Sequence, residues 1–169
     1  MGKKGRTKRK QRGHAKRRTR GGGEADETAA TYVSSRGILK SCDVKPSNIS
    51  SSTGEASIDT STVKDGSVVY VHGSAIPNFM TKLDSIKAKF ILVSGDCDDT
   101  IPEAVLPSED QFNKFIGSDK IIHWFSQNAV KDHEKLTRIP IGLDYHTTPN
   151  PLEQEKELIA IKNAAKPLS

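Results

Sequence analysis

Aromatic residues make up only 5% of this 169-residue chain, and hydrophobic residues only 34%. Both fractions are low for a chain folded throughout, so part of it is expected to stand outside any core. No run of about 18 apolar residues occurs, which excludes a transmembrane helix. No apolar segment follows the basic start, so a secretory signal peptide is excluded and an intracellular, non-secreted protein is expected. There are two cysteines, Cys42 and Cys97, and no CxxC pair. That excludes a zinc ribbon and favours two free thiols over one disulfide. The glycine-rich dinucleotide fingerprint, the Walker-type loop and the GxSxG elbow are also missing. Their absence argues against dinucleotide oxidoreductases, P-loop enzymes and α/β-hydrolases.

Acids are missing from residues 1–20, and this changes the meaning of the net charge. That stretch holds Lys3, Lys4, Arg6, Lys8, Arg9, Lys10, Arg12, Lys16, Arg17, Arg18 and Arg20. Of 26 basic and 21 acidic residues in all, the remainder keeps 26 − 11 = 15 basic ones, a net of −6. The formal +5 therefore describes a basic tail joined to a mildly acidic domain. With no apolar periodicity and strong self-repulsion, the tail is expected to be disordered alone. Gly21-Gly22-Gly23 makes a flexible joint, and residues 1–30 form the tail and linker. Clustered Lys and Arg attract polyanions by counterion release. The uses of such a tail are nucleic-acid binding, a nuclear or nucleolar address, contact with anionic lipid, or plain solubility or packaging with no specific activity. It has no aromatic for base stacking, which argues against specific single-strand recognition.

Residues 31–169 carry the folding pattern. Tyr32–Val44 reads as an extended segment or short strand, and Lys45–Asp65 as a Ser/Thr-rich surface loop of marginal order. Ser67–Val71 is a β-branched strand. Ala75–Lys87 is an amphipathic helix with Phe79, Leu83 and Ile86 on one face and Pro77 in its first turn. Lys89–Val93 is the next strand. Ser108–Ile116 is a helix opened by a capping box, Ser108 to Gln111. Lys120–Phe125 and Leu136–Leu143 are two more strands, and a helix runs from Pro151 to about Ala165. Strands alternating with helices predict an α/β, Rossmann-like, mostly parallel sheet with helices on both faces.

In such a sheet the strand carboxyl ends share one edge, where ligands bind. Four polar clusters are expected there: His72/Ser74, Asp96/Asp98/Asp99, Ser126/Gln127/Asn128 and Asp144/His146. Asp96-Cys97-Asp98 is an Asp-x-Asp turn, which can hold a divalent ion and through it a diphosphate. It is equally an ordinary solvated turn, and a metal is not the favoured reading. Gln127 and Asn128 suit a polar ligand such as a sugar, or cap the segment that follows. His72 and His146 can meet at the sheet edge as acid/base groups. His123, inside an apolar strand beside Trp124, reads as a hydrogen-bonded structural histidine.

Four blocks carry a resemblance. SRGILKSCDV (Ser35–Val44), KFILVSGDCDDTIP (Lys89–Pro102), DKIIHWFSQNAVKDHEKLTRIPIGLDYHT (Asp119–Thr147) and PLEQEKELI (Pro151–Ile159) resemble the N-terminal half of exostosin-like glycosyltransferase proteins of large DNA viruses. The pair HWFSQN and IPIGLDYHT is the most specific in order and spacing. The resemblance implies a two-domain transferase in which a second domain holds most of the nucleotide-sugar donor. Nothing up to Ser169 matches that donor-binding half, so the expectation is a truncated product, one half of a split gene, or a domain kept for another use, and an active transferase only if a second half completes it. The resemblance further implies a glycan or protein acceptor. Ligand contacts are then expected from His72, Asp96, Asp98, Gln127 and Asn128, and the acceptor-side base from Asp144 or His146. The other reading is a non-enzymatic, nucleic-acid-associated or virion-packaged protein acting through its basic tail.

Overall fold

The computed structural model describes residues 31–34, 37–46, 57–143 and 151–164. The basic tail, Asp144 and His146 lie outside these residues. Four strands form one all-parallel sheet in the order β1 (Val68–His72), β2 (Phe90–Gly95), β3 (Ile121–Ser126) and β4 (Leu136–Arg138). The fold is thus α/β and Rossmann-like, as the alternating pattern implied.

The strand order runs in one direction without reversal. Right-handed crossovers then place successive connections on the same face of the sheet. Helices α1 (Ile76–Lys82) and α2 (Glu109–Ile116) obey this. Their buried residues Ile76, Phe79, Phe112, Phe115 and Ile116 join Val69, Leu92, Trp124 and Leu136 of the sheet in one core. Those sheet residues face the same way because they are register partners: Val69 with Leu92, Leu92 with Trp124, and Trp124 with Leu136. Edge-to-face aromatic pairs run through this layer. Phe79 meets Phe90 at 5.8 Å and Phe115 at 6.5 Å, and Phe115 meets Trp124 at 5.2 Å.

The other face takes a helical cover of a different kind. A 3₁₀ segment, Gly37–Ser41, lays Leu39 and nearby Cys42 on Tyr70 and Val93. Val44 then bridges Val69 in parallel, so the segment before β1 closes that edge of the sheet. Here the sequence reading was coarse, since a segment read as extended contains a helical turn.

Several boundaries differ from those expected, each for a physical reason. The first helix ends as a 3₁₀ turn, Leu83–Ser85, where the Lys120 ammonium donates to the carbonyls of Leu83 (2.9 Å) and Asp84 (3.1 Å). Those are terminal carbonyls that the helix itself leaves unpaired. Part of the Ser/Thr-rich loop is ordered: Asp59 caps a 3₁₀ turn, Thr60–Thr62, and Ile58 and Val63 enter the main core. β4 stops at Arg138, five residues before the expected end. Pro140 has no N–H to give a ladder, so the apolar run Ile139–Leu143 cannot continue the strand. The capping box of α2 is present as read: Ser108 Oγ accepts from Gln111 N at 3.1 Å, and Gln111 Oε1 accepts from Ser108 N at 3.4 Å.

The last helix, α3 (Pro151–Ala164), is tied to Thr31 and Tyr32. Glu155 is 4% exposed and its carboxylate accepts from the backbone N–H of Thr31 and Tyr32. No helix among the described residues is long and apolar enough to cross a membrane.

Candidate functional site at the carboxyl edge of the sheet

All four strands point the same way, so β1, β2 and β3 end side by side. His72 pairs with Gly95, and Ser94 with Ser126, as the last rungs of their ladders. The first three polar clusters therefore share one edge. The fourth, Asp144/His146, falls outside the described residues.

Beneath the edge lies a relay of buried hydroxyls. Trp124 Nε1–H donates to Ser94 Oγ at 2.8 Å, the two serine hydroxyls are 2.7 Å apart, and Ser126 Oγ donates to its neighbour's carbonyl, Gln127 O, at 2.8 Å. The only proton on Ser126 Oγ is thereby committed, so Ser94 must be the donor between the two serines. The chain of donation runs from Trp124 through Ser94 and Ser126 to the Gln127 carbonyl. Trp124, Ser94 and Ser126 are all fully buried.

Gln127 and Asn128 turn this rigid floor into a shaped rim. Gln127 is 2% exposed and grips backbone at both ends of its amide. Its Oε1 accepts from Asp96 N at 3.0 Å, and its Nε2 donates to Ile141 O at 3.3 Å. It lies flat over Gly95, where even a Cβ would come within 2.2 Å of Oε1. Asn128 adopts φ 56° and donates from Nδ2 to Cys97 O at 2.7 Å. Asp96 also has φ 56°, so the Asp-x-Asp turn begins with a left-handed residue clasped by Gln127. Asn and Asp are among the few non-glycine residues that tolerate this region. A further rung, Ile101 N to Asn128 O at 3.0 Å and Val130 N to Ile101 O at 2.8 Å, pins the far end of the turn.

The edge opens into a groove of about 490 Å³ lined by Asp98, Thr100, Asn128, Ala129, Val130, Arg138 and Ile141. Small-molecule sites commonly enclose roughly 300–1,000 Å³. The lining offers a carboxylate, a hydroxyl, a carboxamide and a guanidinium around three apolar side chains. Asp98 and Asn128 were expected here from the sequence. Thr100 and Arg138 were not. Reading β4 as running to Leu143 placed its functional end at Asp144, whereas the strand ends at Arg138 and that residue occupies the edge. Pro140 was the available signal.

The remaining expected residues divide. Asp96 is half-buried beside the groove turn. His72 is buried on β1, with Nδ1 2.7 Å from Ser74 Oγ. His123 bonds Thr137 Oγ1 through Nε2 at 2.8 Å and meets the Phe125 ring, tilted at 47°, with centroids 4.7 Å apart, contacts that suit a structural role. Both cysteines are free thiols. Burial pushes the Cys42 thiol up to about 12, and burial likewise raises Cys97, so neither is poised as a nucleophile. Among the described residues, no three His, Cys, Asp or Glu side chains gather as a metal site. The chain matches no protein-family model, no curated protein and no solved structure.

Proposed function

We propose that this domain is the acceptor-side wall of a nucleotide-sugar-dependent glycosyltransferase. The observation that carries the reading is the groove at the carboxyl edge. Polyhydroxylated ligands need several directional donors and acceptors set around apolar surface for the ring C–H groups. Asp98, Thr100, Asn128 and Arg138 around Ala129, Val130 and Ile141 supply that combination. The resemblance of the blocks around HWFSQN and IPIGLDYHT points to the same substrate class. On this reading Asp144 or His146 serves as acceptor-side base, and a second transferase half supplies most donor contacts. Catalysis then needs that half, and the domain alone binds without turning over.

Saturation-transfer NMR with UDP-glucose and methyl glucosides tests it. Asp98→Ala and Arg138→Ala should each weaken binding about tenfold, or ~1.4 kcal/mol, with the urea midpoint unchanged because both side chains are exposed. Binding that is absent for both ligand classes, or indifferent to both substitutions, refutes it.

One observation favours a second reading, that of a nucleic-acid-associated or virion-packaged protein. Eleven basic residues and no acid fall within residues 1–20, against a net of −6 for the rest. If the tail is the active part, the chain binds RNA or DNA with a steep salt dependence, and deleting residues 1–20 abolishes it. Nuclear or nucleolar placement would follow from the same charge.

A further inference from the structure

The groove at the carboxyl edge is polarised from one end to the other, and its charged groups are uncommitted. Arg138 is the last residue of β4, and Asp98 lies in the turn that leaves β2. β3 stands between those two strands, so they run roughly 10 Å apart. Both side chains are exposed, and both line the groove. Their charges are opposite, yet among the described residues neither side chain has an ion-pair or hydrogen-bond partner. Asn128, which follows β3, adds a direction. The Cys97 carbonyl can only accept, so the Asn128 amide must present Nδ2 to it, and Oδ1 is left as the free end. The Asp98 side of the groove therefore offers a carboxylate and a carboxamide oxygen, which only accept, with the Thr100 hydroxyl able to do either. The β4 side offers a guanidinium, which only donates.

We propose that the groove orients a dipolar sugar, with an anionic substituent at Arg138 and an ammonium at Asp98 and Asn128 Oδ1. This rests on the sugar-binding reading above and names its ligand class. A planar guanidinium holds the oxygens of a phosphate through paired N–H donors. Asp98 has Asp99 beside it and Asp96 at the start of the same turn, so that side of the groove repels an anion and attracts a cation. A ligand carrying one phosphate can then enter in one orientation only, its charge towards β4. Val130 and Ile141 give the ring its apolar support.

The test uses the full chain and four probes: methyl glucoside, glucose 6-phosphate, glucosamine and glucosamine 6-phosphate. Binding is read from the Val130 and Ile141 methyl resonances, which report the groove rather than the basic tail. Relative to methyl glucoside, the phosphate and the amine should each tighten binding about threefold to tenfold, and the probe with both should gain close to the product. Arg138→Gln should abolish the gain from the phosphate and keep that from the amine. Asp98→Asn should do the reverse. Both gains should shrink as salt is added. Both side chains are exposed, so the variants should keep the urea midpoint of the parent chain. Equal affinity for all four probes, or a phosphate gain that survives Arg138→Gln, overturns the proposal and leaves the sugar-binding reading standing. Methyl resonances that none of the four probes moves remove both.

Discussion

Gly95 and Gln127 should behave as one energetic unit. Gly95 has an ordinary backbone conformation, so alanine there is permitted by φ and ψ. In isolation Gly95→Ala should be neutral or stabilising by ~0.4–1 kcal/mol, through loss of freedom in the unfolded chain. In the folded chain, however, the new Cβ would stand 2.2 Å from Gln127 Oε1 and 2.6 Å from Cδ. The amide must leave, and with it go the bonds to Asp96 N and Ile141 O. Two net hydrogen bonds at ~1 kcal/mol each, plus a share of the desolvation of the abandoned groups, give a loss of roughly 2–4 kcal/mol. Gln127→Ala should cost about 2–3 kcal/mol for the same reason. The double variant should be no worse than Gln127→Ala alone, because the obstacle is already gone. The coupling energy is then on the order of 2–3 kcal/mol. Urea unfolding of the four chains measures it, with unchanged m-values as the check that native compactness is kept. Additive losses would refute the reasoning, since they would mean that Gln127 yields without losing its contacts.

Ser94→Ala breaks the hydroxyl relay at its centre and strands the fully buried Trp124 N–H, so a loss of about 2–3 kcal/mol is expected in urea unfolding. Trp124 is the only tryptophan, so its emission reports the same change directly as a blue shift. Gly142→Ala should release the junction between Val33 and Leu143. Gly142 has φ 80° and its Cβ would meet Val33 O at 2.2 Å, so amide exchange at Leu143 should accelerate at least tenfold while the β2 amides are unaffected. Cys42 should resist alkylation at pH 8 in the native chain. Because folding raises its pKa, its contribution to stability is complete below the unfolded thiol's value near 9 and is lost as pH climbs towards about 12. Cys42→Ala should flatten the pH dependence of the urea midpoint in that window, and an unchanged slope would refute the assignment.

How much of this was legible in the sequence depends on the range of the interaction. β1 and β2 and the capped α2 were readable because local patterning sets them: β-branched alternation, and a serine three residues before a glutamine. The parallel sheet followed from the alternation of strands with helices. The length of β4 was misjudged because hydrophobicity spoke for a strand to Leu143 and one proline spoke against it. The imino ring decides, since a ladder cannot form without its donor. The 3₁₀ cover at Gly37–Ser41 was beyond reach. Its residues have no helical period, and only packing on Tyr70 and Val93 orders them. Gln127 and Asn128 were correctly expected at the edge. That Gln127 clasps Asp96 depends on a contact 31 residues away, which no local pattern encodes.

The segment before β1 supplies the cover for one sheet face, and its anchors lie far downstream. Ser34 pairs with Leu143, 143 − 34 = 109 residues later, and the Thr31 N–H reaches Glu155 across 124. Closing such long loops is entropically costly and is deferred until most of the sheet exists. During synthesis, residues 31–34 must therefore wait for nearly the whole domain to emerge. The Tyr70–Val93 face stays without this fastening until then, and the basic tail stays attached to a segment that has not yet docked. The nascent domain meets its surroundings with an open apolar face. The time spent in that state, more than the final stability, sets how readily the chain aggregates before it is finished.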